Sequence, residues 1–238
     1  RDQAAVALRS AKEKAESYRN LQSFSRLDVL DAQIAEYPKP VVAVMDGIVM
    51  GGGVGVSEPA DVRIATERTT YAMPETGIGL FPDVGGGWFL PRLPGQTGVW
   101  LALTGARLKA VDTVALGIHT HFMTAEGLAG FKGDLAAAPG DPRAIADAHA
   151  TQPGPSPLAA HREAIDRLFA FDTVEEIFAA LEADGSEWAL AQRAVLRTKS
   201  PQSLKITLRL PSPGQRAVGA STEGTLQDIA DRRMRGYA

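Results

Sequence analysis

Two carboxylates, Glu75 and Asp83, stand eight residues apart in the run Met73-Pro74-Glu75-Thr76-Gly77-Ile78-Gly79-Leu80-Phe81-Pro82-Asp83-Val84-Gly85-Gly86-Gly87. A second glycine run, Gly51-Gly52-Gly53, precedes them. Two acids on preorganised loops facing one cleft repel each other and lose water, which drives their pKa values apart and divides acid from base work. Three consecutive glycines are unfavourable inside any regular element. Their use is to let backbone N–H groups approach a ligand oxygen closely, at or near a helix N-terminus. An amide there polarises a carbonyl, so the two motifs together supply the parts of an acyl-thioester site. Singly, a glycine triplet is a turn or close-packing device and a lone glutamate is a solvated surface group. The joint spacing is what points to chemistry.

The elements that must position these residues are marked by punctuation. Val41-Val42-Ala43-Val44-Met45 is brief, Val-rich and bounded by Pro40 and Gly47, which predicts a buried strand. A second strand pair is expected at 62–65 and 70–73, stopped by Pro74, so that Glu75 sits at a strand end where catalytic groups are often carried. Asp83 follows Pro82 and precedes the second glycine triplet, which predicts a tight, stiffened turn. Residues 2–37 carry spaced apolar positions without internal Pro or Gly and read as helix. Positions 41–123 form the core of strands, turns and short helices, and 132–157, rich in Ala, Pro, Gly and Asp, reads as a linker. The division is therefore 1–131, a linker at 132–157, and a helical region at 158–238. Within that last region, Asp172 with Glu175 three residues on resembles a capping box, Ser200 precedes Pro201 as an N-cap before an N1 proline, and 211–214 ends the final helix.

Composition bounds the function without selecting it. The 238 residues are 45% hydrophobic, enough for a sizeable core. A net charge of -3 without a basic stripe argues against a nucleic-acid partner. The chain has no cysteine, which removes disulfides and thiolate metal sites and suits a reducing compartment. No apolar stretch approaches the roughly 20 residues of a membrane helix, and no signal peptide is visible. His119 and His121 alternate in an expected strand and share a face, but no third ligand has recognisable spacing, so they read as structural and no metal is implied. Lys199, Lys205 and Arg209 could meet ligand phosphates, but a basic helix face is usually just solvated and they stay outside the site; Trp88, Phe89 and Trp100 read as core packing rather than a stacking platform. The triplet at 85–87 is no P-loop, because no Gly-Lys-Ser/Thr follows it.

A longer set of motifs carries a family resemblance. Residues 39–57, Ala65-Thr66-Glu67 and 73–87 resemble the crotonase (enoyl-CoA hydratase/isomerase) superfamily and, within it, the 3-hydroxyisobutyryl-CoA hydrolase branch. Ala102-Leu103-Thr104-Gly105-Ala106-Arg107-Leu108, Gly117-Ile118, His121-Phe122, 172–177 and 200–207 extend the likeness over most of 24–209. The resemblance implies an α/β fold, a crotonase-like ββα spiral core lacking its opening strands, followed by a C-terminal helical region. It implies an acyl-CoA thioester hydrolase of valine degradation that releases 3-hydroxyisobutyrate and CoA. Gly52 would donate one backbone N–H of the thioester oxyanion hole, Glu75 would be the main catalytic carboxylate, and Asp83 would contact the substrate's hydroxyl end or assist the reacting water. No cofactor is implied, since CoA enters as part of the substrate. The expected partners are that acyl-CoA substrate and, optionally, further copies of the chain in a homo-oligomer, with neither nucleic acid nor membrane.

The departures define the alternatives. Crotonase-type hydratases carry a second glutamate three residues after the oxyanion glycine, and here that position is Gly55, which disfavours hydratase or isomerase chemistry. An ungapped count places Leu27-Asp28 at the family's Glu-Tyr pair, and Glu58-Pro59-Ala60 replaces a His-containing turn. The chain begins at Arg1, without a counterpart of the Ala-Gly-Gly-Asp segment that supplies the other oxyanion N–H, and 229–236 resembles the start of the family's final segment. The expectation is thus a chain truncated at both ends, weak as a catalyst, with an inactive CoA-binding or interaction remnant as the reading from another class. Its compartment would be the cytoplasm of a bacterium, or an organelle after loss of a targeting segment.

Overall fold

The computed structural model describes residues 30, 33–137 and 140–209. Among the described residues the chain deals its first four strands alternately to two small sheets. β1 (Val42–Met45) and β2 (Ile48–Met50) are separated by Gly47, whose φ of 136° turns the chain from one sheet into the other. α1 (Gly52–Ser57) follows, and then β3 (Val62–Ala65) and β4 (Thr70–Ala72) repeat the step. β5 (Leu108–Lys109) and β6 (His121–Phe122) complete the sheets. One sheet runs β1-β3-β6, all parallel; the other runs β2-β4-β5, with β4 and β5 antiparallel. The strands expected at 62–65 and 70–73 both form, β4 one residue shorter, but they are not partners. The turn between them is clasped by Thr66 and Thr69, whose amide and hydroxyl meet at 2.8 Å, and it hands the chain to the second sheet.

Helices cover these sheets. α2 (Gly86–Phe89), α3 (Thr97–Thr104) and α4 (Ala110–Ala115) belong to the first half, α5 (Leu128–Ala137) and α6 (Pro142–His149) follow β6, and α7 (Arg162–Leu168), α8 (Val174–Asp184), α9 (Glu187–Arg197) and α10 (Pro201–Leu208) form the helical end. α3 is buried along nearly its whole length, with Trp100, Leu101 and Leu103 in the main core beside Phe89 and Tyr71. Trp88 packs against the edge of that core with the Arg92 guanidinium 4.2 Å from its ring centre.

Three expectations need correction. The segment 132–157 is not a linker in its first part: it holds the end of α5 and all of α6, and a second core of Val62, Ile64, Met123, Leu128, Phe131 and Ala146 lies there. Alanine is the strongest helix former, and Asp141-Pro142 is an N-cap followed by an N1 proline, with the Asp141 carboxylate accepting from the Arg143 amide at 3.0 Å. Among the described residues of this segment, 140–141 and 150–156 lie outside the helices. The capping box of α8 is built one residue later than expected, by Thr173 and Glu176. His119 and His121 do not share a face, because β6 contains only two residues and His119 precedes it in a turn. His119 faces Met45 and Tyr71 in the main core, whereas His121 pairs with Asp147 of α6 at 2.9 Å. Ser200 caps α10 as expected. The helix expected over 2–37 falls within the described residues only at 30 and from 33 onward, where 33–36 are helical; Leu27-Asp28, 211–214 and 229–236 lie outside them.

Candidate active site

The site is assembled by strand register. β2 and β4 are parallel neighbours with Met50 opposite Ala72. The residues just past their C-terminal ends, Gly51 on one and Met73-Pro74-Glu75 on the other, therefore emerge side by side, the usual place for a ligand on parallel strands. Gly51 has φ 52° and ψ −123°, and a Cβ there would lie 3.2 Å from Glu75 Oε1. Glycine is thus needed at 51 twice, for the backbone angle and for the space. Gly51 caps α1 with its carbonyl, which accepts from Val54 and Gly55 at 2.8 and 3.2 Å. The amides of Gly52 and Gly53 open the helix and have no acceptor inside it.

Glu75 begins a 3₁₀ turn, Glu75–Ile78, that is pinned from three sides. Its own carbonyl accepts from Leu80 at 3.0 Å and that of Pro74 accepts from Gly77 at 2.9 Å. The Thr76 hydroxyl donates to the Leu103 carbonyl of α3 at 3.0 Å, while the Thr76 carbonyl accepts from the Ser200 amide at 3.1 Å. Gly105, which ends α3 with φ 63°, lies so close that a Cβ would stand 3.0 Å from Pro74 Cα. The carboxyl position is thereby set by two helices that carry none of the chemistry.

Burial then sets its acidity. Glu75 is only 5% exposed, and its Oε2 has no hydrogen-bond partner. Burial pushes its pKa up from the ordinary 4.5 to about 7; its own backbone amide opposes the rise and the charge of Asp83 adds to it. Asp83 is half-buried, and its carbonyl accepts from the Gly86 amide at 2.7 Å. The next residue, Val84, has φ 43°, a strained angle for a β-branched side chain, before Gly85 at φ 86°. The structure thus brings Gly52, Glu75 and Asp83 into one neighbourhood, with Gly51 in direct approach to Glu75 and Asp83 acting on it through space. A carboxyl that titrates near neutrality beside free helix amides can take a proton from water, or attack a carbonyl whose oxygen those amides hold.

Two residues outside the sequence-derived set matter here. Lys199, read from sequence as part of a solvated face, reaches the Glu75 turn: its Nζ lies 3.6 Å from the Cβ position of Gly77, and partial burial lowers its pKa. The readable signal was Ser200-Pro201, which starts α10 at the turn. Glu58, noted only as a departure, is a largely buried carboxyl at the other end of α1. A cleft of about 540 Å³ opens behind α2, between α3 and α10, but neither Glu75 nor Asp83 lines it. Among the described residues no group of three His, Asp or Glu side chains could hold a metal ion, and no helix is long and apolar enough to cross a membrane.

Residues 4–228 match the Enoyl-CoA hydratase/isomerase family, and the chain belongs to it. Its fold is the α/β crotonase fold. Among individual proteins, the 3-hydroxyisobutyryl-CoA hydrolase, mitochondrial, of Xenopus tropicalis is 48% identical over 198 residues, covering 79% of this chain and 51% of that protein. The protein of the same name from Homo sapiens is 44% identical over 216 residues, covering 87% of this chain and 54% of its own length. The solved structure of a carnitinyl-CoA dehydratase from Mycobacterium thermoresistibile is matched with a TM-score of 0.80 at 39% identity, over 91% of this chain and 62% of that one. The chain spans about half the length of the curated relatives it matches.

Proposed function

We propose that this chain carries the catalytic turn of a CoA-thioester hydrolase acting on 3-hydroxyisobutyryl-CoA. The observation that carries the reading is Glu75 Oε1 against the Gly51 turn, in a carboxyl whose pKa is about 7. In this reading the Gly52 N–H holds the thioester oxygen. Ionised Glu75 takes a proton from water as the water oxygen bonds to the carbonyl carbon, or bonds to that carbon itself to form an anhydride that water then opens. The C–S bond breaks, the sulfur leaves as thiolate and gains a proton, and the acid and free CoA are released. Asp83 accepts a hydrogen bond from the substrate's hydroxyl or from the reacting water. Ile78, Leu80 and Phe81 leave apolar surface beside the carboxyl that suits an acyl chain. No cofactor is required, since CoA belongs to the substrate. The names of the curated vertebrate relatives, which are mitochondrial proteins, support the same substrate.

Dehydration or hydration of a CoA ester is the second reading, favoured by the name of that solved structure. It needs a second acid in α1, where this chain has the buried Gly55. A third, an inactive CoA-binding remnant, retains binding without turnover. Release of free thiol from 3-hydroxyisobutyryl-CoA, alongside water addition to an enoyl-CoA, separates the three. Thiol release with negligible hydration supports the hydrolase; hydration without thiol release contradicts it, and binding with neither supports the remnant.

A further inference from the structure

α1 is a six-residue helix with glycine at 52, 53 and 55. Glycine is the weakest helix former after proline, and those positions have no side chain with which to anchor the helix. Val54 is fully buried, and the Ser57 hydroxyl bonds back to the Gly53 carbonyl at 2.7 Å. A further hold is at the C-terminal end, on Glu58, the C-cap residue, whose amide donates to the Val54 carbonyl at 2.9 Å. Glu58 Oε2 faces Arg63 Nε of β3 at 3.8 Å, while its Oε1 is shut off from solvent without a hydrogen-bond partner. Arg63 in turn donates to the backbone carbonyls of Ile118 at 2.6 Å, Ala60 at 2.9 Å, Gly117 at 3.3 Å and Glu58 itself at 3.4 Å. Tyr71 of β4, 1% exposed, turns its phenol toward Glu58 without completing a well-formed hydrogen bond. β4 is the strand that delivers Glu75.

We infer that Glu58 is a positioning residue, which through Arg63 and Tyr71 fixes the C-terminal end of α1 to β3 and β4 and so holds the Gly51-Gly52 turn in place against Glu75. The role as a setter of thioester geometry rests on the hydrolase reading; the mechanical link does not. A buried carboxyl with one unpartnered oxygen is expensive, and an apolar side chain of similar shape would pack there at less cost. What an ionised group adds is a defined distance to the guanidinium. Its surroundings also make the link titratable. Burial pushes Glu58 up to about 7, with the Arg63 charge and the Tyr71 phenol drawing it down. The other groups of the cluster are His119, held neutral by burial and by Arg63, and Tyr71 itself, which burial and the charges of Glu58 and Glu75 keep protonated.

The test is a pH titration of the Gly52 backbone amide by ¹H–¹⁵N NMR, in protein carrying Glu75→Gln so that the adjacent carboxyl cannot titrate. The Gly52 amide should shift with a midpoint near pH 7, and adding Glu58→Gln should flatten that step. Adding Tyr71→Phe instead keeps the carboxyl and removes a group that lowers its pKa, so the midpoint should rise; this variant retains the ring and serves where Glu58→Gln fails to fold. A Gly52 amide without a step near neutrality in the Glu75→Gln protein overturns the inference, as does a step that survives Glu58→Gln or ignores Tyr71→Phe. In protein with Glu75 intact, Glu58→Gln should lower kcat for thioester hydrolysis about tenfold while KM stays within about threefold, the split expected when transition-state contacts are misplaced. Absence of hydrolysis in the unsubstituted protein would sink the hydrolase reading and leave the amide titration to decide the link.

Discussion

Glu75 is a buried carboxyl whose protonation is tied to the stability of the fold. Its pKa is raised from 4.5 to about 7 on folding, so between those values the folded state holds a proton that the unfolded state has released. The stability tied to that proton is fully present below the unfolded pKa and is lost as pH rises through the folded one, a loss on the order of 2 kcal/mol after allowance for solvent screening. Glu75→Gln should therefore unfold at higher urea than the parent at about pH 8 and at the same urea at about pH 4. If Glu75 is the base proposed above, the same variant should lower turnover by about a hundred- to ten-thousand-fold. Asp83→Asn acts from outside. Removing its charge takes away one of the causes that raise Glu75, so the acid limb of the kcat profile should move to lower pH. If Asp83 also pairs the substrate hydroxyl, competition against isobutyryl-CoA should show a weaker preference for the 3-hydroxyacyl ester, because an unpaired buried acceptor discriminates strongly. An unmoved limb with an unchanged preference would remove Asp83 from the site.

The elements of the site work by close approach. Gly51→Ala adds a methyl 3.2 Å from Glu75 Oε1 at φ 52°, and should cost about 1–3 kcal/mol in backbone strain while also cutting thioester turnover. Thr173→Ala, which breaks the capping box of α8 far from the chemistry, should cost about 1 kcal/mol by urea unfolding with turnover unchanged. Much of this was legible beforehand. Pro74 stops the strand before Glu75, the first glycine run opens a helix, and Ser200-Pro201 opens α10, because proline and glycine act through their own backbone limits. Sheet membership was not legible. Strands at 62–65 and 70–73 look alike in sequence, and their separation into two sheets depends on a turn clasped by Thr66 and Thr69. The face of His119 was lost for a related reason: alternation predicts orientation only inside a strand, and the histidine lies just outside one.

At the scale of the molecule, two cores divide the described residues. The larger one carries α3 and α10, which brace the Glu75 turn, and the smaller one joins β1 and β3 to α5 and α6. Phe131, fully buried in the smaller core, should cost about 3–5 kcal/mol when changed to Ala, a loss that a residue merely leading into a linker would not show. Composition misled there because alanine with Asp-Pro writes a helix start as readily as a loop. Glu58 was invisible for the opposite reason, since its partners Arg63 and Tyr71 are brought to it only by packing of α1 on both sheets.

The central claim is that Glu75, set beside the Gly51-Gly52 turn, is the group that opens a CoA thioester. The most direct measurement is free-thiol release from 3-hydroxyisobutyryl-CoA by the protein and by its Glu75→Gln variant, with circular dichroism of both to show an unchanged fold. The expected result is hydrolysis by the protein and a loss of at least about a hundredfold in the variant. Turnover in Glu75→Gln close to that of the unsubstituted protein would contradict the claim.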